Sequence, residues 1–483
     1  MVFTILDCYT DEPSGLGVPP YMGVYPRYIY GYLKKKAEKI NYLTIDDLRL
    51  EIHYKGQLKE SRKTNIKVYN LTNKNTRKIL DETDILIVIA GVHVPGKYLS
   101  AVPGTLYEVT DLLKNIKCRK VLTGPGATVF GSRLEGGKFS EKADFLMFEE
   151  IIPDFIRDYD EIREASIRGA EIVRQVPYLL IAEIETARGC AKSVPCSFCT
   201  EPLKNKMEFR KIDDIINEIK SLNNFGIKYF RLGKQSDFFA WSENDIELML
   251  RRVRNECDIK VLHIDNIDPV NVTEAKVKHV VKYCTPGNVA ALGVESFDKD
   301  VVKSNNLNTL PETAIKAIRI INSYGAEIGE NGMPKFLPGI NILFGLINES
   351  RRTHEENMKY LQKILDENLL LRRINIRQVA IFPGTQLHIE CGNKYIKKNK
   401  KYYWKWRDEI RQKIDNPMLK RLVPKGTILK DVRMEVHEGN VTFGRQIGTY
   451  PLIVGVKEKL DTGKFYNIKI TDHMLRSVVG EVV

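Results

Sequence analysis

Six short apolar segments recur between residues 176 and 390, at 179–185, 229–232, 261–264, 290–293, 340–344 and 375–381. Stretches with helical spacing, such as 212–222, 312–322 and 355–365, separate them. Parallel strands need long crossovers, and a helix between each pair supplies them. Six units in succession predict a partial, open parallel (β/α)6 barrel, in which chemistry sits at the carboxyl ends of the strands. Directly after the first strand come Cys190, Cys196 and Cys199, spaced C-x5-C-x2-C.

The remaining chain reads as flanking domains, since 483 residues are too many for one hydrophobic core. Residues 1–165 alternate strand candidates (2–6, 85–90, 121–123, 145–148) with helical stretches (27–39, 106–116). That pattern predicts an α/β, Rossmann-like parallel sheet whose ligands would bind at strand carboxyl ends. The loop Gly124-Pro125-Gly126-Ala127-Thr128 is either a ligand cradle or a plain tight turn. Residues 391–423 read as a basic, aromatic linker. Residues 424–483 hold strand candidates at 428–436, 450–456, 466–471 and 476–483, punctuated by Gly439, Gly455 and Gly463, which predicts a small closed antiparallel barrel. With 43% hydrophobic and 28% charged residues the composition is globular. No apolar run approaches the ~20 residues of a membrane helix, and residues 1–13 lack a signal peptide's basic start. The expectation is a soluble, cytoplasmic protein with no membrane partner.

Five of the eight cysteines, Cys8, Cys118, Cys257, Cys284 and Cys391, are scattered singly, as small buried hydrophobes are. The three others fall within ten residues, which points to metal in a reducing compartment rather than to disulfides. Three thiolates on one loop can hold three corners of an iron–sulfur cluster and leave the fourth iron open. The alternative is a closed zinc site with a distant fourth ligand, since no Cys or His lies between Cys199 and Cys257.

The net charge of +13 is uneven. Residues 391–483 hold 20 Lys+Arg against 10 Asp+Glu, or +10, leaving +3 for the other 390 residues. Such a concentration suits a polyanion, although a solvated lysine-rich surface has the same composition. Tyr402, Tyr403, Trp404 and Trp406 interleave with Lys398, Lys400, Lys401, Lys405 and Arg407. They either stack bases beside phosphates or anchor a helix. Arg372, Arg373 and Arg377 either meet phosphate or carboxylate, or pair with local acids.

The cysteine loop, with Arg188-Gly189 before it and Phe198 inside it, resembles that of the radical S-adenosylmethionine superfamily, whose commonest spacing is two residues shorter. The likeness continues in order along the barrel: Leu232-Gly233-Lys234-Gln235, Gly293-Val294-Glu295-Ser296, Gly339-Ile340-Asn341 through Gly345-Leu346, and Pro383-Gly384-Thr385. The resemblance implies a [4Fe–4S] cluster on Cys190, Cys196 and Cys199. It also implies S-adenosylmethionine beside Phe198, Gly233, Lys234, Gln235, Glu295, Ser296 and Gly345. The implied reaction is cleavage of that cofactor to a 5′-deoxyadenosyl radical, with an electron donor such as ferredoxin or flavodoxin.

The flanks carry resemblances too. The N-terminal unit sits where many relatives have a cobalamin-binding domain, but the D-x-H-x-x-G element is absent, and His53 and His93 stand in other contexts. Cobalamin held without a protein histidine and a domain that binds nothing both stay open. Methylthiotransferases place a second cluster on three N-terminal cysteines, whereas only Cys8 and Cys118 precede Cys190. The C-terminal segment resembles the TRAM domain, a small RNA-binding barrel. That implies RNA, tRNA or rRNA, as partner, with Lys398, Lys401, Lys405, Arg407 and Arg445 as contacts. Whole-chain likeness is to an archaeal group of the superfamily. Three functions follow: radical modification of RNA, cobalamin-dependent methylation or rearrangement of a small molecule or peptide, and RNA binding by a metal-stabilised protein without catalysis.

Overall fold

A computed structural model describes residues 1–8, 21–54, 72–90, 104, 106–124, 145–147 and 157–483. The chain forms two compact units, Met1–Ile184 with Asp213–Tyr229, and Glu185–Ile212 with Phe230–Val483.

The first unit is built on β1 (Val2–Asp7), β2 (Tyr21–Met22), β3 (Lys39–Thr44), β4 (Ile85–Ile89), β5 (Arg119–Thr123), β6 (Leu146–Met147) and β7 (Ile181–Glu185). Five of these make one sheet in the order β3-β1-β4-β5-β6, parallel throughout. All five residues of β4 are buried, as expected of a parallel strand covered on both faces. Within the sheet the order is 2-1-3-4-5, and its switch point falls between β1 and β4. The helix expected at 27–39 is Val24–Leu33 instead. Lys39–Thr44 forms a strand because Tyr42, Leu43 and Thr44 bury against the sheet, a tertiary contact that overrides local spacing. Residues 9–20 and 91–100, His93 among them, and residues 125–128 lie outside the described residues, while His53 stands in the last turn of the helix Ile45–Tyr54.

Among the described residues of this unit one ion pair is fully buried on both sides. Arg27, on the helix Val24–Leu33, pairs with Glu218 and donates to the Glu183 carbonyl and to Gly23 O at 3.2 Å. Tyr28 Oη donates to the same Glu218 carboxylate at 3.4 Å.

In the second unit β8 (Ala187–Arg188) pairs antiparallel with β9 (Glu208–Phe209). β10 (Tyr229–Gly233) lies beside β11 (Val261–Ile264), and β12 (Asn288–Glu295), β13 (Phe336–Phe344) and β14 (Arg373–Gln378) form a parallel sheet. Helices follow each strand, among them Glu243–Glu256, Glu274–Tyr283, Pro311–Gly325 and Arg351–Asp366. With β7, these strands match the six apolar segments, so the chain is an α/β protein with an N-terminal parallel sheet and parallel central sheets. Side chains alternate along them: Ala290, Leu292 and Val294 of β12 are fully buried, whereas Gly293 and Glu295 are partly exposed.

A closed five-stranded barrel completes the unit, with β15 (Ile428–Glu438), β16 (Val441–Gln446), β17 (Val454–Val456), β18 (Phe465–His473) and β19 (Val478–Val482) in the order β15-β16-β17-β19-β18. It is not wholly antiparallel: β17 and β19 run parallel, because the chain crosses over through β18 before returning. Val432, Met434, Val454 and Ile468 fill it, and Leu419 and Leu422 cap it. Residues 391–423 are not a linker. They form the helix Lys394–Ile410, a π turn at Arg411–Asp415 and the helix Asn416–Leu422, because Tyr395, Asn399, Trp406 and Ile410 share one buried face. Among the described residues no helix is long and apolar enough to cross a membrane.

Candidate active site

The cysteine loop is clamped at its base by the β8–β9 pair, where Arg188 Nε meets Glu208 Oε2 at 3.0 Å. Gly189 sets its entry. Its φ is +82° and a Cβ there would collide with the Lys206 carbonyl, so no other residue fits without moving the backbone. Farther along, Ser197 holds Asn305 through its hydroxyl at 2.6 Å and its backbone N–H at 2.9 Å. Ser236 Oγ donates to Gly189 O at 2.7 Å, and Leu387 N–H to Ser197 O at 2.8 Å. The segments after β10, β12 and β14 thus hold one loop.

Cys190, Cys196 and Cys199 are all reduced and partly exposed on it. The cysteine sulfurs share the loop but are not gathered round one point: among the described residues no three His, Cys, Asp or Glu side chains stand in a metal-holding group. Burial pushes the Cys199 thiol up to about 12 and raises Cys196, the latter against the pull of Lys192. Lys192 Nζ lies 3.2 Å from Cys196 Sγ and 3.7 Å from Asp268. Burial works against the Lys192 ammonium, but Cys196 and Asp268 hold its pKa above the ordinary value. Three soft thiols with a cation beside them suit an iron–sulfur cluster, since such donors select iron–sulfur or zinc and the cation offsets thiolate charge.

The other residues singled out by the sequence fall at the strand ends. Phe198 packs on the cluster of Leu346, Val379, Leu387 and Tyr395. Gly233 ends β10, and Gln235 is buried, accepting from Thr186 Oγ1 at 2.9 Å. Gly345 follows β13 and donates its N–H to Glu349. Ser296 is buried and its hydroxyl accepts from Asp298 N–H at 3.1 Å. Two non-glycine residues here hold left-handed backbones, Lys234 (φ +68°) and Glu295 (φ +61°). Strain of that kind, about 1–2 kcal/mol each, concentrates at functional sites. Glu295 Oε2 is buried without a hydrogen-bond partner, and burial raises its carboxyl to about 7 against the pull of Arg377 and Lys192. An orphaned oxygen at a strand end is what a hydroxyl-bearing cofactor would satisfy.

The loop between β16 and β17 was not foreseen as part of this region. Thr449 N–H donates to His263 Nδ1 on β11 at 2.8 Å, which requires Gly448, because a Cβ there would press on the imidazole. Tyr450 (φ +52°) puts its ring under the Arg373 guanidinium at 4.1 Å and its hydroxyl 3.4 Å from Asp265, the partner of Arg231. Burial lowers His263 to about 3, so it is neutral and accepting. The unfolded chain takes up this proton near pH 6.5 and the folded one only near 3, so acid favours unfolding across that window. Stability is expected to fall by about 2 kcal/mol between pH 6.5 and 5, and a His263→Asn variant to lose this part of the acid sensitivity in pH-dependent thermal melts.

Among the RNA contacts read from the sequence, Lys398, Lys401 and Lys405 are exposed on the helix Lys394–Ile410. Trp404 is 63% exposed with Arg407 over its ring at 5.2 Å, and Lys401 lies over Tyr402 at 4.9 Å. Trp406 is the anchor, buried against Phe344 and His354. Arg445 does not belong with them. It is 4% exposed and its Nε meets Glu435 inside the barrel at 2.9 Å, because β16 places it opposite β15. A cavity of about 830 Å3 lined by Arg254, Lys260, Lys282, Thr285 and Lys335 lies at the amino ends of β12 and β13 and contains none of the predicted site residues.

A family model, the radical SAM superfamily, matches residues 184–361, from the end of β7 into the helix Arg351–Asp366. The chain belongs to this superfamily and is a radical SAM enzyme, a class that works with a [4Fe–4S] cluster and S-adenosylmethionine. It is 43% identical to the uncharacterized protein MJ0274 of Methanocaldococcus jannaschii, over 99% of this chain and 93% of that one. It is 20% identical, over 70% of this chain and 75% of the other, to the ribosomal protein uS12 methylthiotransferase RimO of Clostridium novyi. Among solved structures it resembles TsrM of Kitasatospora setae, a radical S-adenosylmethionine methyltransferase bound to cobalamin and a [4Fe–4S] cluster. The TM-score is 0.53 at 13% identity, over 80% of this chain and 77% of the other.

Proposed function

We propose that this enzyme modifies structured RNA, with tRNA the first substrate to test. The observation that carries this reading is the helix Lys394–Ile410, whose exposed surface carries Lys398, Lys401, Tyr402 and Lys405 on one flank and Lys400 and Trp404 on the other. Aromatic faces among lysines can stack unpaired bases while neutralising phosphates. Distant likeness to RimO, named for a ribosomal protein substrate, is compatible with translation machinery as the target.

In this reading Cys190, Cys196 and Cys199 hold the cluster, with Lys192 offsetting its charge. Bound cluster and S-adenosylmethionine supply the electron and the cleavable sulfonium of the radical chemistry. Gly233, Lys234, Gln235, Glu295, Ser296 and Gly345 would border the cofactor, Phe198 would wall it, and Glu295 Oε2 would accept from a hydroxyl. A low-potential donor such as ferredoxin or flavodoxin is the reductant class required.

Replacing Lys398 and Lys401 together by alanine is expected to weaken binding of unfractionated tRNA. It should also flatten the dependence of log K on log salt by roughly 1.4–1.8, the release from two phosphates. An unchanged slope would leave these lysines as surface solvation. Mass spectrometry of total RNA from cells with and without the gene tests the reaction itself.

A second reading is cobalamin-dependent chemistry on a small molecule or peptide. The 2-1-3-4-5 parallel sheet of the first unit favours it, as this order offers a cleft at its switch point. A cobalamin absorption spectrum from the anaerobically purified protein would favour it over the first.

A further inference from the structure

The side of β14 facing away from its apolar core is cationic. Ile374 and Ile376 are 1% and 7% exposed, so Arg373, Asn375 and Arg377 share the other face. Asn375 Oδ1 accepts from Arg373 Nη2 and from Arg377 Nε, each at 3.2 Å, and Asn375 Nδ2 donates to Asn341 Oδ1 at 3.0 Å. The amides thereby fix both guanidinium groups without neutralising either. Three other buried arginines of this unit are each matched by an acid: Arg231 by Asp265, Arg411 by Asp415, Arg445 by Glu435. Arg373 and Arg377 have no carboxylate at ion-pair distance among the described residues, and Arg373 Nε is buried with no acceptor. Tyr450 supports Arg373 from one side through its π face, an attraction that leaves the N–H donors available. The acid that feels Arg377 is Glu295, at the carboxyl end of β12 and level with Ile342 and Ile376, and the one that acts on Arg373 is Asp415, already paired with Arg411.

We propose that Arg373 and Arg377 form a subsite for an oxyanion of the substrate, a phosphate group if the substrate is RNA. Two planar guanidinium groups held four residues apart on one strand face offer several N–H donors to a tetrahedral or planar oxyanion, a geometry that lysine does not reproduce. This inference rests on the proposed function and names the chemistry that its substrate must present near the cofactor.

The test is isothermal titration of the full-length protein, without added cofactor, using inorganic phosphate and acetate at fixed ionic strength. Phosphate is expected to bind more tightly than acetate, and Arg377→Gln to weaken it at least about ten-fold, on the order of one charge-assisted hydrogen bond. Arg377→Lys, which keeps the charge but not the fork, should weaken it several-fold and serves if the Gln variant does not fold. Lys260→Gln, at the remote cavity, should leave it unchanged. Wild-type affinity in both Arg377 variants would overturn the subsite. Displacement of phosphate by saturating S-adenosylmethionine would assign the arginines to the cofactor's own carboxylate and overturn it too. Tighter acetate than phosphate binding would overturn the phosphate assignment and count for a carboxylate substrate. None of these results depends on tRNA binding, so the subsite and the RNA reading can fail separately.

Discussion

Alanine at Cys190, Cys196 or Cys199 is expected to abolish both the cluster absorbance of the anaerobically reconstituted protein and the formation of 5′-deoxyadenosine with reductant, each to background. Two thiols cannot replace three corners, and the loop offers no spare Cys or His: the next is Cys257, just past the helix Glu243–Glu256. Cys257→Ala and Cys284→Ala are the controls and should retain iron. Cys284 is 8% exposed and caps the helix Glu274–Tyr283, away from the cysteine loop in the chain, as a packed small hydrophobe does. Loss of iron from the Cys257 variant would redraw the ligand set. Zinc in place of iron and sulfide would end the radical assignment of this loop.

Glu218→Gln is expected to give the largest loss of stability, about 3–5 kcal/mol, read as a lowered urea midpoint of the first unit. Arg27 would then remain fully buried, held by the carbonyls of Gly23 and Glu183 and the Tyr28 ring, with a neutral amide where its carboxylate partner stood. Removing both charges, as in Arg27→Met with Glu218→Leu, should be milder than the single change, because the ion pair's own desolvation is relieved at the same time. A double variant less stable than Glu218→Gln would mean that Arg27 matters chiefly through its hydrogen bonds to the backbone.

What could be read from the sequence was local. The six central strands were visible because each is an apolar run bounded by turns, and the cysteine loop because its chemistry lies within ten residues. β3 was missed because Lys39–Thr44 becomes a strand only by pairing with β1, a contact that spacing cannot display. Arg445 was misread for the same reason: it looks like a basic residue in a basic segment, and only the β15–β16 register shows Glu435 beside it. Tyr450 was least visible of all. Its partners Asp265 and Arg373 lie 185 and 77 positions away, and the only local sign is a glycine, Gly448, whose missing side chain admits His263. The alternation Arg373-Ile374-Asn375-Ile376-Arg377 was a usable signal, since a strand that buries its isoleucines must turn its arginines the other way.

The reach of Thr449 and Tyr450 into the strands has a consequence for how this enzyme can be rebuilt. A terminal barrel of this type would normally be treated as a detachable cassette, swapped between enzymes to redirect them. Here the excision would pull a tyrosine from beneath Arg373 and an N–H from His263, and leave the Arg231–Asp265 pair without its neighbour. The two parts have to be inherited, transplanted or evolved as one piece.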